Sequence, residues 1–579
     1  MERKVINGLD FLFKEIKAEE IFTTIEFSEE HRMVMKTTKD FVANEIVPNI
    51  GRIESLDLSL TRDLLKKAGD IGLLGAEIPE EYGGVGLDKI ASLIIAEELG
   101  RGGSIAISYG AHSGLAALPI AYFGNEEQKK KYLPKFCSGE LFGAFALTES
   151  EAGSDAMAGK TKAELSADGS YYTLNGEKMW ITNAGFADIF IVYAKVQGKF
   201  TAFIVEKAFG GITPGLEEKK MGIKGSSTAA VCIDNVNVPV CNLLWGIGNG
   251  LKVALNILNL GRIKIGSGCI GAAKLAIDDS IRYANERKQF GKPISSLGAI
   301  KEKIARMIIK TYAGESIIYR TGGMIDDVMK TTTDIDSYGK ALSEHATECA
   351  ICKVMCSEYL DYVVDEAVQI HGGYGYSADY PIERYYRDSR INRIFEGTNE
   401  INRLVVSSMI LRKVSRSKAE IEKLSEDIIK NQDKVIYQYE PNLMKEEYRA
   451  IAGSKKCLIA ALTILLKKFP DDILTRQEII FRIADIAMEI YVSESVILKA
   501  IKEEANKSIK DKIAIMYCHD ALYKIYKLLI EIFEAVCVKE ELENMVTLMN
   551  KYINIPHYNT IDLLKEIAER GIEMNCYPI

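Results

Sequence analysis

The hydrophobic period of this chain changes twice, and each change marks a switch of secondary structure that one packed layer cannot accommodate. From about residue 28 to 143 apolar residues recur at helical spacing. Ser28, with Glu29 and Glu30 behind it, marks a helix start ahead of Met33, Val34 and Phe41. From about 144 to 245 the period drops to two. Ile189-Phe-Ile-Val-Tyr-Ala194, Thr201-Ala-Phe-Ile-Val205 and Ala229-Ala-Val-Cys-Ile-Asp234 read as short strands between Gly, Asp and Asn. Tyr171-Tyr-Thr-Leu-Asn-Gly-Glu-Lys178 reads as a hairpin turning at Asn175-Gly176. Roughly one hundred residues of this kind suit an antiparallel barrel or sandwich. Helical spacing returns at Gly250 and runs to the C-terminus, with Ile483, Ile486, Ala487 and Ile490 on one stripe. A chain of 579 residues exceeds one core. The expected divisions are 1–143, 144–245, 246–412 and 413–579, the last boundary lying in the charged stretch 412–426.

Charge and cysteine usage narrow the class. A net charge of -8 argues against a nucleic-acid polyanion as main partner. Eleven scattered cysteines fit reduced thiols in a cytosol-like compartment. The start, Met1-Glu-Arg-Lys-Val-Ile-Asn-Gly8, lacks the apolar stretch of a secretory signal, and Asp10 and Glu15 are more acid than a transit peptide carries, so the expected location is the cytoplasm. The longest strongly apolar run, residues 457–466, is about half a membrane span. Lysine pairs flank it, which leaves peripheral rest on a membrane as an alternative. Apolar residues on every face of the run favour burial in a helical core.

Short stretches carry the chemistry. Arg393-Ile-Phe-Glu-Gly-Thr-Asn-Glu400 puts a carboxylate, a bare backbone amide and a hydroxyl in succession, shortly after Gln369-Ile-His-Gly-Gly-Tyr-Gly375. A glutamate flanked by Ile394 and Phe395 has its pKa raised by apolar surroundings, which suits removal of a weakly acidic proton. Three companions precede it: Phe145-Ala-Leu-Thr-Glu-Ser-Glu-Ala-Gly-Ser-Asp155, Lys178-Met-Trp-Ile-Thr-Asn183 and Glu286-Arg-Lys-Gln-Phe-Gly-Lys-Pro293. In this order and at these separations they resemble the flavin site of the acyl-CoA dehydrogenase family. The resemblance runs from about residue 28 to 412, and a likeness to the very-long-chain branch covers nearly the whole chain.

The resemblance implies an α+β multidomain fold: an N-terminal helical domain, a central antiparallel β-barrel, a C-terminal four-helix bundle and an extra C-terminal helical domain. It implies FAD as cofactor, a fatty acyl-CoA as substrate, a trans-2-enoyl-CoA as product and an electron-transferring flavoprotein as acceptor. Glu396 takes the place of the base, and its backbone N–H that of a donor to the thioester carbonyl. Some members carry the base at the position matching Gly261, where glycine cannot serve. Phe145, Leu147, Thr148, Gly153 and Ser154 correspond to flavin-lining residues, Trp180 to the aromatic wall and Thr182 to a donor near the flavin N5 and O4. Arg287, Gln289 and Phe290 match residues that reach the pyrophosphate and adenosine from a neighbouring subunit. Gln369, Gly372, Gly373, Thr398 and Glu400 complete that half-site. Arg262 and Ser154 match coenzyme A contacts, and Phe395 and Gly397 flank the substrate. Ile107 and Ala111 stand where medium-chain members close the alkyl pocket with polar groups; the alternative reading makes both simply helix core. The extension after Arg412 implies a homodimer rather than a tetramer.

Bland readings stand beside these. Trp180 alone reads as a sheet-core residue and Ser154 as a turn residue. Gly266-Ser-Gly-Cys-Ile-Gly271 matches a dinucleotide fingerprint but lies inside a long helical run, where small residues favour close helix packing. Cys349, Cys352 and Cys356, with His345 nearby, fall on one helical face as small buried hydrophobes rather than metal ligands, and no metal is expected. A scaffold role is disfavoured by the intact Glu396 and flavin stretches, and an oxidase by the very-long-chain likeness.

Overall fold

The computed structural model describes residues 3–332, 334–432, 437–504 and 508–579. Helix α1 (Glu29–Phe41) starts at Ser28, whose hydroxyl accepts the His31 N–H at 3.1 Å, the cap that an exposed first turn needs. Helix α2 (Lys89–Gly100) is buried on nearly all faces.

Eight strands follow: β1 (Gly143–Ala146), β2 (Lys162–Leu165), β3 (Tyr171–Thr182), β4 (Ile189–Val196), β5 (Lys199–Glu206), β6 (Ile212–Glu217), β7 (Thr228–Pro239) and β8 (Leu243–Leu244). They make one sheet in the order β6-β7-β3-β2-β4-β5-β8, with β1 parallel to β4. The expected antiparallel barrel is corrected on two counts. The path does not close, because β6 and β8 do not pair among the described residues, and β1 and β2 each meet β4 in parallel. Asn175-Gly176 is not a turn either. Both residues lie inside the twelve-residue strand β3, where its register with β7 shifts, the mark of a β-bulge. A Cβ on Gly176 would come 2.4 Å from the Thr161 hydroxyl oxygen, so the glycine serves a close approach.

Helix α3 (Gly250–Glu286) packs on α2, and with α4 (Gly298–Met329) and α5 (Ala346–His371) it forms the frame of the next layer. A Cβ on Gly271 would sit 1.7 Å from the Glu97 carbonyl oxygen, and one on Gly100 2.1 Å from that of Gly268. The glycine-rich stretch is therefore a helix contact, as the absence of a preceding strand led us to expect. The short α6 (Ile382–Ser389) packs on α3 and α5, and α7 (Asn399–Arg416) on α5. The expected boundary stretch 412–426 begins inside α7 and includes Ser417, where α7 gives way to a helix beginning at Lys418.

The extension contributes α8 (Lys445–Lys468), α9 (Gln477–Lys502) and α10 (Ile509–Val536), of which α9 and α10 pack on α4. Leu462 and Leu465 have no exposed surface, so the run 457–466 lies in the core and the membrane-resting alternative is withdrawn for it. Among the described residues no helix is long and apolar enough to cross a membrane.

The expected first domain, residues 1–143, begins with a segment that packs elsewhere. The Leu9 N–H donates to Glu348 at 2.7 Å, and Lys455 donates to the Lys14 carbonyl at 3.0 Å. The Phe11 ring lies 4.7 Å from that of Tyr491. One core takes in Phe11, Ile277 of α3, Ile317 of α4, Ile351 of α5 and Ile490 of α9. The N-terminal strap is thus a wedge between the central helices and the extension. Truncating Phe11 to Ala should destabilise the fold by about 3–5 kcal/mol, as large-to-small core changes do. The expected result is an earlier urea transition; an unshifted one would show that the strap is not part of the core.

Candidate active site

Glu396 lies on a strained corner between a short helical turn (Arg390–Arg393) and α7. Its φ is +56°, and that of Gly397 is +82°. Glycine adopts such values freely, whereas a glutamate does so only where surrounding contacts hold it. Those contacts are two buried cations. Arg262 of α3 donates from Nε to the Glu396 carbonyl at 3.2 Å and from Nη1 to Asn259 at 3.0 Å. Lys353 of α5 donates to the Gly397 carbonyl at 2.9 Å and to the Asn399 side chain at 2.7 Å. Asn402 adds a bond to the Gly397 carbonyl at 2.7 Å. Thr398 caps α7 by accepting the Ile401 N–H at 3.2 Å.

The Glu396 carboxylate takes no part in this network. The residue as a whole is half-buried, but its Oε2 is shielded from solvent and has no hydrogen-bond partner among the described residues. Burial raises its pKa to about 7, against the opposing charges of Arg262 and Lys353. Burial likewise lowers Lys353 to about 8.

The carboxylate opens on a cavity with an empty volume of about 1280 Å³, part of it continuous with solvent. Gly261, Ile107, Ala111, Leu115, Thr182 and Phe395 line it with Glu396. A Cβ on Gly261 would lie 3.2 Å from Glu396 Oε2, so the glycine gives the base room. On α3 the lining continues through Gly268 and Ala272 to Leu275. At about 1.5 Å per helical residue, Gly261 and Leu275 are about 21 Å apart. Lys264 also lines the cavity, its ammonium paired with the buried Glu77.

On the sheet side Thr182 lines the cavity, and Trp180 sits on a bulge of β3, with φ +60° and more than half its surface exposed (55%). A sheet-core role for Trp180 is therefore excluded. The Met179 N–H donates to the Thr148 carbonyl at 2.9 Å. Buried Lys178 donates to the Leu147 carbonyl at 3.2 Å and to Glu149 at 2.8 Å, clamping the loop to β3. Phe145, Leu147 and Thr148 are half-buried along this edge, while Gly153 and Ser154 lie exposed at the loop tip.

A second group of expected residues gathers elsewhere. Arg287, Gln289 and Phe290 stand on an exposed hairpin; Phe290 is 90% exposed with φ +54°. The Arg287 guanidinium lies 5.6 Å from the Tyr374 ring, beside exposed Gly372 and Gly373. Gln369 and Glu400 are exposed as well. None of these residues lines the Glu396 cavity.

Arg262, expected at the coenzyme A moiety, is buried, and its described hydrogen bonds go to the Glu396 carbonyl and to Asn259. One residue was missed. Lys353 lies within the Cys349–Cys356 stretch, where a lone lysine among apolar residues was the available signal. The three thiols are buried, and burial pushes their pKa values up.

Comparison with known proteins adds the following. Family profiles described as "Acyl-CoA dehydrogenase", N-terminal, middle and C-terminal domain, match residues 28–140, 144–236 and 248–411. A further C-terminal domain of the same description matches 453–551. A "Probable acyl-CoA dehydrogenase" of Bacillus subtilis is 44% identical over 99% of both chains. The "Very long-chain specific acyl-CoA dehydrogenase, mitochondrial" of Macaca fascicularis is 44% identical over 58% of this chain and 51% of its own. The crystal structure of an acyl-CoA dehydrogenase complexed with FAD from Bacillus anthracis superposes with a TM-score of 0.95 at 44% identity, covering 99% of this chain and 100% of that one.

The clamp predicts a titration. Arg262 on α3 and Lys353 on α5 are the charged groups that act on the Glu396 carboxylate. The Lys353 charge favours the ionised form of Glu396. Lys353→Met should therefore move the Glu396 midpoint upward from about 7 by roughly one unit, the low end for an opposite charge within several ångströms. The carboxyl band in infrared difference spectra across pH reads this directly, with Glu396→Gln as blank. An unmoved midpoint would leave Lys353 with backbone support alone.

Proposed function

The chain belongs to the acyl-CoA dehydrogenase family, and on that premise we propose that it dehydrogenates a long-chain fatty acyl-CoA to the trans-2-enoyl-CoA. The reading includes FAD as cofactor, a place in fatty-acid β-oxidation in the cytoplasm, and an electron-transferring flavoprotein as acceptor. The observation that carries it is the Glu396 carboxylate, shielded and unpaired, facing Gly261 across a largely apolar cavity.

The residues present fit a flavin. An indole held out of the sheet beside a cavity-lining threonine offers a ring wall and a hydroxyl donor, and the half-buried edge of Phe145, Leu147 and Thr148 continues that wall. FAD bound there would supply the acceptor for the hydride leaving the substrate β-carbon. Glu396 takes the α-proton in its carboxylate form. A base with pKa about 7 is ionised just above neutrality and retains more proton affinity than a solvated glutamate. The Glu396 N–H has no acceptor among the described residues, which leaves it to donate to the thioester carbonyl as charge develops there. Arg262 and Lys353 hold the backbone that aims both groups, and their charges act on the carboxylate at longer range. Ser154, at the exposed loop tip, is assigned to the coenzyme A moiety.

Arg287, Gln289 and Phe290 suit an anionic, aromatic ligand, because a guanidinium fork binds phosphate and an exposed ring stacks. Since this group does not line the Glu396 cavity, we assign it, with Gln369, Gly372, Gly373 and Glu400, to the cofactor of a second copy. The assembly is then a homodimer.

The long-chain preference rests on the lining that runs from Gly261 to Leu275 and on the apolar Ile107 and Ala111. Each buried methylene is worth about 0.8 kcal/mol there.

Two outcomes test this reading. Glu396→Gln should keep bound FAD and lose dehydrogenation by at least the 10²–10⁴-fold typical of a general base, roughly. Anaerobic dye-coupled rates with flavin absorbance measure both, and near wild-type turnover would move the base elsewhere. Ala111→Phe should lower kcat/KM for palmitoyl-CoA far more than for butyryl-CoA. A wild-type optimum at butyryl-CoA would end the long-chain assignment.

A further inference from the structure

A second cavity, of about 550 Å³ empty volume, lies at the seam between the central helices and the extension. Arg306, Lys310 and Tyr359 line it from α4 and α5; Glu489, from α9, and Tyr517, Asp520 and Lys524, from α10, line the other side. Its carboxylates already have partners. Lys524 pairs with Glu489 at 2.7 Å and Arg306 with Asp520 at 3.1 Å. The second Glu489 oxygen accepts the Tyr517 hydroxyl at 2.8 Å, and Tyr517 shares a 2.5 Å hydrogen bond with Tyr359.

Lys310 is the exception. Among the described residues it makes no ion pair and no hydrogen bond; its ammonium lies 5.3 Å from the Tyr359 ring centre and 4.9 Å from that of Tyr362. Burial pushes its pKa down. Ring faces offset part of the loss of hydration, but a half-buried ammonium without a counter-ion stays costly. Arg306 also pairs with Glu302 at 3.0 Å, so of the three cations on the lining Lys310 is the one without a partner among the described residues.

We propose that this seam cavity binds a small monocarboxylate, its carboxylate on Lys310 and its alkyl end against Ile309 and Ala521. The one unpaired ammonium on the lining matches a monoanion, whereas a dianion such as phosphate would confront Glu489 and Asp520. The apolar part of the lining favours an alkyl carboxylate over chloride. The ligand would bridge α4 and α10 across the seam, in a cavity also lined by α5, the helix that carries Lys353. The proposal does not depend on the reaction assigned to Glu396.

The test uses the FAD-loaded full chain. Melting temperature is followed in sodium butyrate, sodium chloride and sodium phosphate at constant ionic strength and pH. Butyrate should give a saturable rise of a few degrees beyond chloride and phosphate. Lys310→Met should abolish that rise while melting, without ligand, at or above wild type, because it removes an uncompensated charge. Ala521→Leu keeps Lys310, fills the cavity and should abolish the rise as well; it decides the matter alone if Lys310→Met does not fold. No butyrate effect, an equal effect of phosphate, or a wild-type response in either folded variant would overturn the proposal.

Discussion

A carboxylate that takes a proton from carbon must be kept from water and from partners of its own, and the loop around Glu396 meets both conditions by directing two buried cations at the backbone. The contrast with Glu77 shows why the target of the hydrogen bonds matters. Both carboxylates are deeply placed, and burial alone would raise both. Lys89 and Lys264 bond the Glu77 oxygens directly, and their charges hold it well below the usual carboxylate range despite that burial. Arg262 and Lys353 bond the carbonyls of Glu396 and Gly397 instead. Their charges then act at longer range, burial wins, and the group stands near neutrality.

The same bonds fix a backbone that would not hold itself. A glutamate at φ +56° persists only where its surroundings over-determine it, so the donors must be rigid. Arg262 and Lys353 come from α3 and α5, whose contact is tight: a Cβ on Gly266 would press on Ile318 and the Cys352 carbonyl. Rigidity continues outward through buried charges. Glu97 of α2 and Glu315 of α4 both take Lys274 of α3 at 2.6 Å, and Glu315 also pairs with Lys499 of α9. Breaking one member of such a group strands a buried charge, so the network favours one registration of the helices.

What the sequence made legible was local. The order Glu-Gly-Thr put a carboxylate, a bare amide and a hydroxyl together because all three lie within a few residues, but it did not show that Thr398 caps α7. The helical period along α3 survived folding and the alternation did in β7, whereas β4 and β5 are buried nearly throughout. What failed depended on distant partners. Asn175-Gly176 carries a turn signal, but the strand runs on through a bulge there, with Thr161 packed close against the glycine. Closure of the sheet was a property of β6 and β8, which no local pattern encodes. The strap around Phe11 finds its acceptor at Glu348, more than three hundred residues away. Lys353 escaped notice because its acceptors, the Gly397 carbonyl and the Asn399 side chain, lie more than forty residues along the chain.

The glycines of α3 show how one period serves two purposes. Gly271 meets the Glu97 carbonyl and Gly266 meets α4 and α5, so neither admits a side chain. Gly268 differs: a Cβ there would make only ordinary contact, at 3.5 Å from the Ala96 carbonyl. Helix packing does not demand its smallness. It belongs instead to the stripe Gly261, Lys264, Ile265, Gly268, Ala272 and Leu275 that lines the cavity, at the three- and four-residue spacing that keeps side chains on one helical face. One face of α3 is small so that helices can meet, and the adjoining face is small so that they leave a channel beside the base. The width of that channel is set residue by residue along the stripe, while its length follows from a helix that runs unbroken from Gly250 to Glu286.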